Sequence, residues 1–245
     1  MSSKEGARIY EAAIFTAKAI VEGYFSANPS LVKKATKKTY HPVALTAKKK
    51  PSGWASDFLI RGLVNCAQTR LSKDITIEMA EHEDMPALHG FMDEDSESRV
   101  RIYVRNDLNF CWRRFVVAKE LSHLLMNCYL GDSVREARLE ETERLFDMLL
   151  EGAPPDENNL PFISEYAALI GAVEMLIPKR YVEGGLLENS DILSIAEQLK
   201  VPRKWVEMRS HPEFLAIIQP IYEKELYQMA PIHDHLYRSK NCRSG

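Results

Sequence analysis

From Cys111 to about Tyr129 the chain reads as a helix with no polar face. Phe115, Val116, Val117, Ala118, Leu121, Leu124, Leu125 and Met126 point in nearly every direction around its axis. Such a helix belongs in the middle of a domain, with the other elements packed around it. Yet Lys119, Glu120 and His123 stand inside it. At about 100° per residue, Lys119 and His123 project roughly 40° apart and Glu120 about 60° further round. Ionisable groups in a core helix are costly unless they face a cleft or neutralise one another, which makes residues 119–123 the candidate site on physical grounds.

The elements around this helix follow from periodicity and punctuation. Residues 5–26 predict a first helix, with Ile9, Ala12, Ala13, Thr16, Ala17, Ile20 and Tyr24 at helical spacing and Asn28-Pro29 ending the run. A lysine-rich stretch, Leu31 to Pro51, holds seven lysines and no acidic residue. It reads as a solvated segment or as a patch for phosphate or acidic groups. Residues 55–72 predict a second helix. Three strands are expected at Ile75 to Glu81, Ala87 to Met92 and Val100 to Val104, with Asp93-Glu94-Asp95 as a hairpin turn. Asn109 is placed to cap the apolar helix. An acidic helix over 133–151, one over 162–177 stopped by Pro178, two short helices around Val201-Pro202 and another over 213–229 complete the chain. The fold class expected is α+β, mostly α, with packed helices, a small antiparallel sheet of about three strands and a helical C-terminal extension. A boundary near 185 divides a main domain (1–185) from a small helical region (186–245).

Composition supports an ordinary globular protein, with 45% hydrophobic and 27% charged residues. The net charge of −3 does not favour nucleic acid as a partner. The longest apolar run, Ala167 to Val173, is far short of the roughly 20 residues that span a bilayer, so no membrane segment is expected. Cys66, Cys111, Cys128 and Cys242 form no CxxC pair, and the chain's start has no secretory apolar region. Reduced thiols in the cytoplasm are the expectation.

Lys119-Glu120-Leu121-Ser122-His123 has the spacing of HExxH, in which two histidines one turn apart hold zinc and the glutamate activates a bound water. Glu-x-x-His alone also suits a buried salt bridge. The wider string from Arg113-Arg114-Phe115 through Val116-Val117-Ala118 to Leu124-Leu125 resembles the RF-x-x-A-HE-L-x-H-x-L block of the ImmA/IrrE family of metallopeptidases. Glu165, Ala168, Ala172 and Glu174-Met175-Leu176-Ile177-Pro178 resemble that family's second block. Leu193 to Pro202 is similar to the small helix pair that often follows. The resemblance spans roughly residues 75–210 and implies a zincin-like core. It implies that Glu120 is the general base, His123 the second metal ligand and Glu165 the third. Glu165, Ala168, Leu169, Ala172 and Leu176 share one stripe, whose small residues would let their helix come close to the helix at 111–129.

The sequence departs from the family at Lys119, which stands where the first histidine ligand is expected. Neutralising a lysine of ordinary pKa costs about 4.6 kcal/mol at pH 7, and lysine is not a usual zinc ligand. The expectation is that the Lys119 ammonium takes the metal's place, bridging the Glu165 and Glu120 carboxylates and keeping the fold closed without zinc. No cofactor is then expected, with zinc entering only if Cys111, Cys128, His82 or His89 rescues the site.

Members of the family commonly cut or inactivate helix-turn-helix repressors on phages, integrative elements or in stress responses. The resemblance therefore implies a regulatory protein that binds such a repressor through the former substrate cleft. The alternatives are a working zinc endopeptidase with an altered site, and a DNA-binding protein. The last would use the lysine-rich stretch and the helix pair with Arg203, Lys204 and Arg209. Trp205, Val206 and Met208 read instead as packing residues, so direct nucleic-acid binding is not expected.

Overall fold

The computed structural model describes residues 4–28, 58–86, 88–96, 98–130, 160–178 and 191–227. Helix α1 (Lys4–Ala27) is followed by α2 (Phe58–Leu71), strand β1 (Asp74–Ala80), a short 3-10 turn (His82–Asp84), β2 (Gly90–Ser96) and β3 (Arg99–Arg105). Then come α3 (Phe110–Leu130), α4 (Leu160–Leu176), α5 (Ile192–Leu199), α6 (Arg203–Arg209) and α7 (Pro212–Tyr227). The described residues are thus α+β and mostly helical. None of their helices is long and apolar enough to cross a membrane. The lysine-rich stretch, the acidic helix expected over 133–151, Cys242 and the boundary near 185 lie outside the described residues.

Helix α3 is the central element: every residue from Arg114 to Met126 is buried. Asn109 caps it, its Oδ1 accepting from the Trp112 amide at 3.1 Å. Helices α1 and α4 pack against it and against each other. All seven residues placed at helical spacing on α1, Ile9 through Tyr24, are buried. The three helices meet closely at Gly171 of α4. A Cβ there would lie 2.0 Å from Ser122 Oγ on α3 and 3.4 Å from the Ala13 carbonyl on α1. Only glycine permits that approach, and Ala118, Ala168 and Ala172, all fully buried, extend it along the helices.

The sheet corrects two expectations. It is mixed rather than antiparallel, in the order β1-β3-β2, with β1 parallel to the central β3 and β2 antiparallel to it. The reason is the segment 81–89, which carries the chain across the C-terminal end of β3. The Asn106 amide there donates to the Ala80 carbonyl at 2.9 Å, and the Arg105 amide to the His89 carbonyl at 3.0 Å. Strands β1 and β2 therefore flank β3 in opposite directions. The second correction concerns Asp93-Glu94-Asp95, which lies within β2 rather than in the turn. Opposed charges hold it extended: Asp93 pairs in register with Arg101, Glu94 contacts Lys73 at 2.5 Å, and Asp95 contacts Arg101. On β3 the expected alternation holds, with Val100, Ile102 and Val104 buried.

Buried arginines fasten the C-terminal helices to this body. Arg114 of α3 donates from Nη1 to the Leu199 and Lys200 carbonyls at 2.7 and 2.9 Å. That closes the end of α5, where Lys200 takes a left-handed conformation (φ 54°). Arg209 of α6 is 1% exposed. It reaches Glu174 Oε2 of α4 at 3.0 Å and the Ile177 carbonyl at 3.2 Å. The Tyr222 hydroxyl of α7 donates to the same Glu174 oxygen. Phe115 and Trp205 stack face to face, 4.3 Å between ring centroids.

The three cations weighed for a recognition helix on α6 differ in their surroundings. Arg209 is interior, Arg203 is paired with Glu207 at 2.6 Å, and Lys204 Nζ lies 5.8 Å from the Trp205 ring. Trp205 and Val206 are buried, as their apolar character predicts.

Candidate functional site

Helix α3 presents Lys119, Glu120 and His123, and the facing turn of α4 presents Glu165. The structure brings all four together. Lys119 Nζ lies 2.9 Å from Glu165 Oε2 and 3.3 Å from Glu120 Oε1, and His123 Nε2 lies 3.1 Å from Glu165 Oε1. Glu165 thus receives the ammonium on one oxygen and the imidazole on the other. The contacts at Glu120 Oε1 and His123 Nε2 are at ion-pair distance but are not aligned as hydrogen bonds, so attraction there is mainly Coulombic. Lys119, Glu120 and His123 are buried and Glu165 nearly so. The small residues of the α4 stripe are what allow this reach.

Burial opposes every charge in the cluster, and the neighbours decide which charges survive. For Lys119, burial would favour the neutral amine, but the Glu120 and Glu165 carboxylates overcome it and hold the group protonated well beyond the usual lysine range. For Glu165, burial would favour the acid, but Lys119 and His123 override it and keep the carboxylate ionised far below its ordinary range. His123 is likewise raised: burial opposes its charge, and the adjacent Glu165 outweighs burial. Glu120 differs. Burial dominates there and raises its pKa, despite the opposing charges of Lys119 and His123. The site is an ammonium–carboxylate–imidazole relay with a second, more weakly ionised carboxyl beside the ammonium.

Of the residues weighed as replacement ligands, His89 feels the charge of Lys119. His82 is exposed in the 3-10 turn, its Nδ1 3.9 Å from Asp107. His89 is half-buried in the approach to β2 and stacks on Trp112, 5.8 Å between ring centroids. Burial lowers its pKa, and the positive charges of Arg105 and Lys119 lower it further. Cys111 and Cys128 are partly buried and outside any disulfide. Among the described residues no three His, Cys, Asp or Glu side chains are grouped so as to hold a metal ion.

Two buried polar groups of these helices were given no role in the sequence reading: Ser122, beside the site on α3, and Glu174, at the far end of α4. Glu174 stands in an apolar helix as Glu120 does, and the same argument from a charge in a core helix applies to it. Set against protein-family models, curated proteins and solved structures, the chain matches none of them.

Proposed function

We propose that this chain is a regulatory protein built on a metallopeptidase-type site of the ImmA/IrrE kind, in which its own lysine replaces the metal. The observation that carries this reading is the pair of contacts from Lys119 Nζ to Glu165 and Glu120. In the resemblance, position 119 supplies the first zinc ligand and Glu165 the third. Here position 119 supplies a cation, and it already neutralises the carboxylate meant for the metal. Zinc does not fit this donor set: His123 and Glu165 provide two donors, and a protonated amine has no lone pair to offer and repels a second cation.

The chemistry left to the site is recognition. A protein partner, with a helix-turn-helix repressor as the candidate class, binds at the former substrate cleft, and the charged relay keeps the cleft's two helices together without metal. Glu120 remains in place, and that observation keeps the working zinc endopeptidase as the second reading. The two are separated by incubating the full-length protein with a helix-turn-helix repressor and following both complex formation and cleavage. The regulatory reading expects a complex with an intact repressor, unaffected by chelator. Cleavage that chelator stops and Glu120→Gln abolishes overturns it in favour of the enzyme.

A further inference from the structure

We propose that the outer edge of β1 is a second interaction surface, which takes up an extended, basic segment of a protein partner by strand addition. It lies outside the Lys119 pocket and goes beyond the reading given to that pocket.

The direction of the backbone groups on β1 is fixed by its pairing with β3. The Asp74 amide donates to the Ser98 carbonyl at 2.7 Å, and the Ala80 carbonyl accepts from the Asn106 amide. Groups alternate sides along a strand, so Asp74, Thr76, Glu78 and Ala80 point their amides and carbonyls at β3. Ile75, Ile77 and Met79 point theirs outward. The Ile75 carbonyl already accepts from Gln68 Nε2 at 3.3 Å. Ile77 and Met79 together leave two donors and two acceptors facing away from the sheet, with no other described backbone group bonded to them.

Edges of this kind are usually blunted by lysine, proline or a bulge. β1 (Asp-Ile-Thr-Ile-Glu-Met-Ala) has none of these. Its Met79 side chain is 53% exposed. That combination suits an added strand: main-chain bonds at Ile77 and Met79 supply affinity, and an apolar side chain of the ligand covers Met79.

Charge selects the occupant. Glu78, Glu81, Glu83 and Asp84 are all exposed along the end of β1 and the turn after it. The nearby cations have closer partners, Lys73 with Glu94, Arg101 with Asp95 and Arg105 with Asp107, and Arg101 also lies within the field of Glu78. The matching segment is extended and alternates Lys or Arg with apolar residues. A second copy of this chain fits less well. Antiparallel pairing centred on Ile77 sets Met79 opposite Ile75, whose carbonyl Gln68 holds. Pairing centred on Met79 brings the two acidic turns together.

The test uses the full chain and a fluorescent peptide of alternating lysine and valine. Binding is followed by anisotropy and by residue-resolved amide exchange. The peptide is expected to bind and to slow exchange at Ile77 and Met79, whereas its glutamate–valine counterpart and a backbone N-methylated version do not bind. Glu78→Lys and Met79→Lys, singly, should each weaken binding by about tenfold while the circular dichroism spectrum is retained. Equal binding of the N-methylated peptide, or protection confined to other residues, overturns the proposal. So does protection of both amides in the free monomer, which assigns the edge to the chain's own residues. Protection that rises with protein concentration alone overturns it in favour of a second copy.

Discussion

The buried ammonium at position 119 has consequences that can be measured one side chain at a time. Lys119→Met removes the ammonium and leaves the Glu165 carboxylate with only His123 beside it, at a cost of about 3–5 kcal/mol for breaking a buried pair. Equilibrium urea unfolding measures it. Lys119→His restores the three donors implied by the resemblance, and zinc titration should then show uptake that the parent lacks. A folded variant that takes up no zinc would mean that the pocket lacks a ligand geometry. The pH profile follows from the directions of the shifts. His123 is raised, so its contribution is complete below pH 6.5 and is lost as pH rises through its folded value. Glu165 is lowered, so its contribution is complete above pH 4.5 and is lost as pH falls. Glu120 is raised and opposes the acid-side loss in part. Thermal melting should therefore be highest between about pH 4.5 and 6.5. Glu165→Gln should flatten both sides of the profile, and a profile unchanged by that substitution contradicts the electrostatic assignment. Lys119, Glu120 and His123 were legible in the sequence because charges in a helix apolar on all sides demand partners, and Glu165 entered through the resemblance and its stripe of small residues. Lys119 was expected to bridge the Glu120 and Glu165 carboxylates, and its Nζ lies 3.3 and 2.9 Å from them.

Helices were read closely because apolar spacing and caps carry them: Asn109 and Pro178 mark ends that the structure keeps near the same places. Strand direction was not legible, since alternation in Val100–Val104 says which face is buried and nothing of which neighbour runs parallel. Nor was the true length of β2, because an acidic triplet resembles a turn until its cross-strand cations are known. The contact that sets the spacing of α3 and α4 was hidden as well. Gly171 is one small residue among several in its helix, and only the position of Ser122 makes it indispensable. Gly171→Ala should destabilise by about 1–3 kcal/mol through overpacking. Ser122 Oγ is buried with no hydrogen-bond partner, so Ser122→Ala should be neutral or stabilising and should recover part of the loss in the double variant. Additive effects in a double-mutant cycle of melting temperatures would contradict the contact.

Across the molecule, the C-terminal helices are tied to the body by polar groups that the sequence displayed without pairing them. Arg209 looked like a surface cation because Arg203 and Lys204 precede it, and its partner Glu174 lies far away in sequence. Glu174→Ala strands the buried Arg209 and should cost about 3–5 kcal/mol. Tyr222→Phe should cost less, about 1.5–3 kcal/mol for a hydrogen bond to a charged group, and the two losses should not add. Chemical denaturation of both variants and their combination tests this, and additive losses would mean that the three groups do not act as one network. The Glu174–Arg209–Tyr222 network and the Lys119 relay both fix α4, one near each end, so the pocket's geometry is held from two places. The most direct test is the metal content of the wild-type protein purified without added zinc, measured by elemental analysis. The account predicts zinc far below one equivalent in a folded protein. Near-stoichiometric zinc bound through His123 and Glu165 would contradict it.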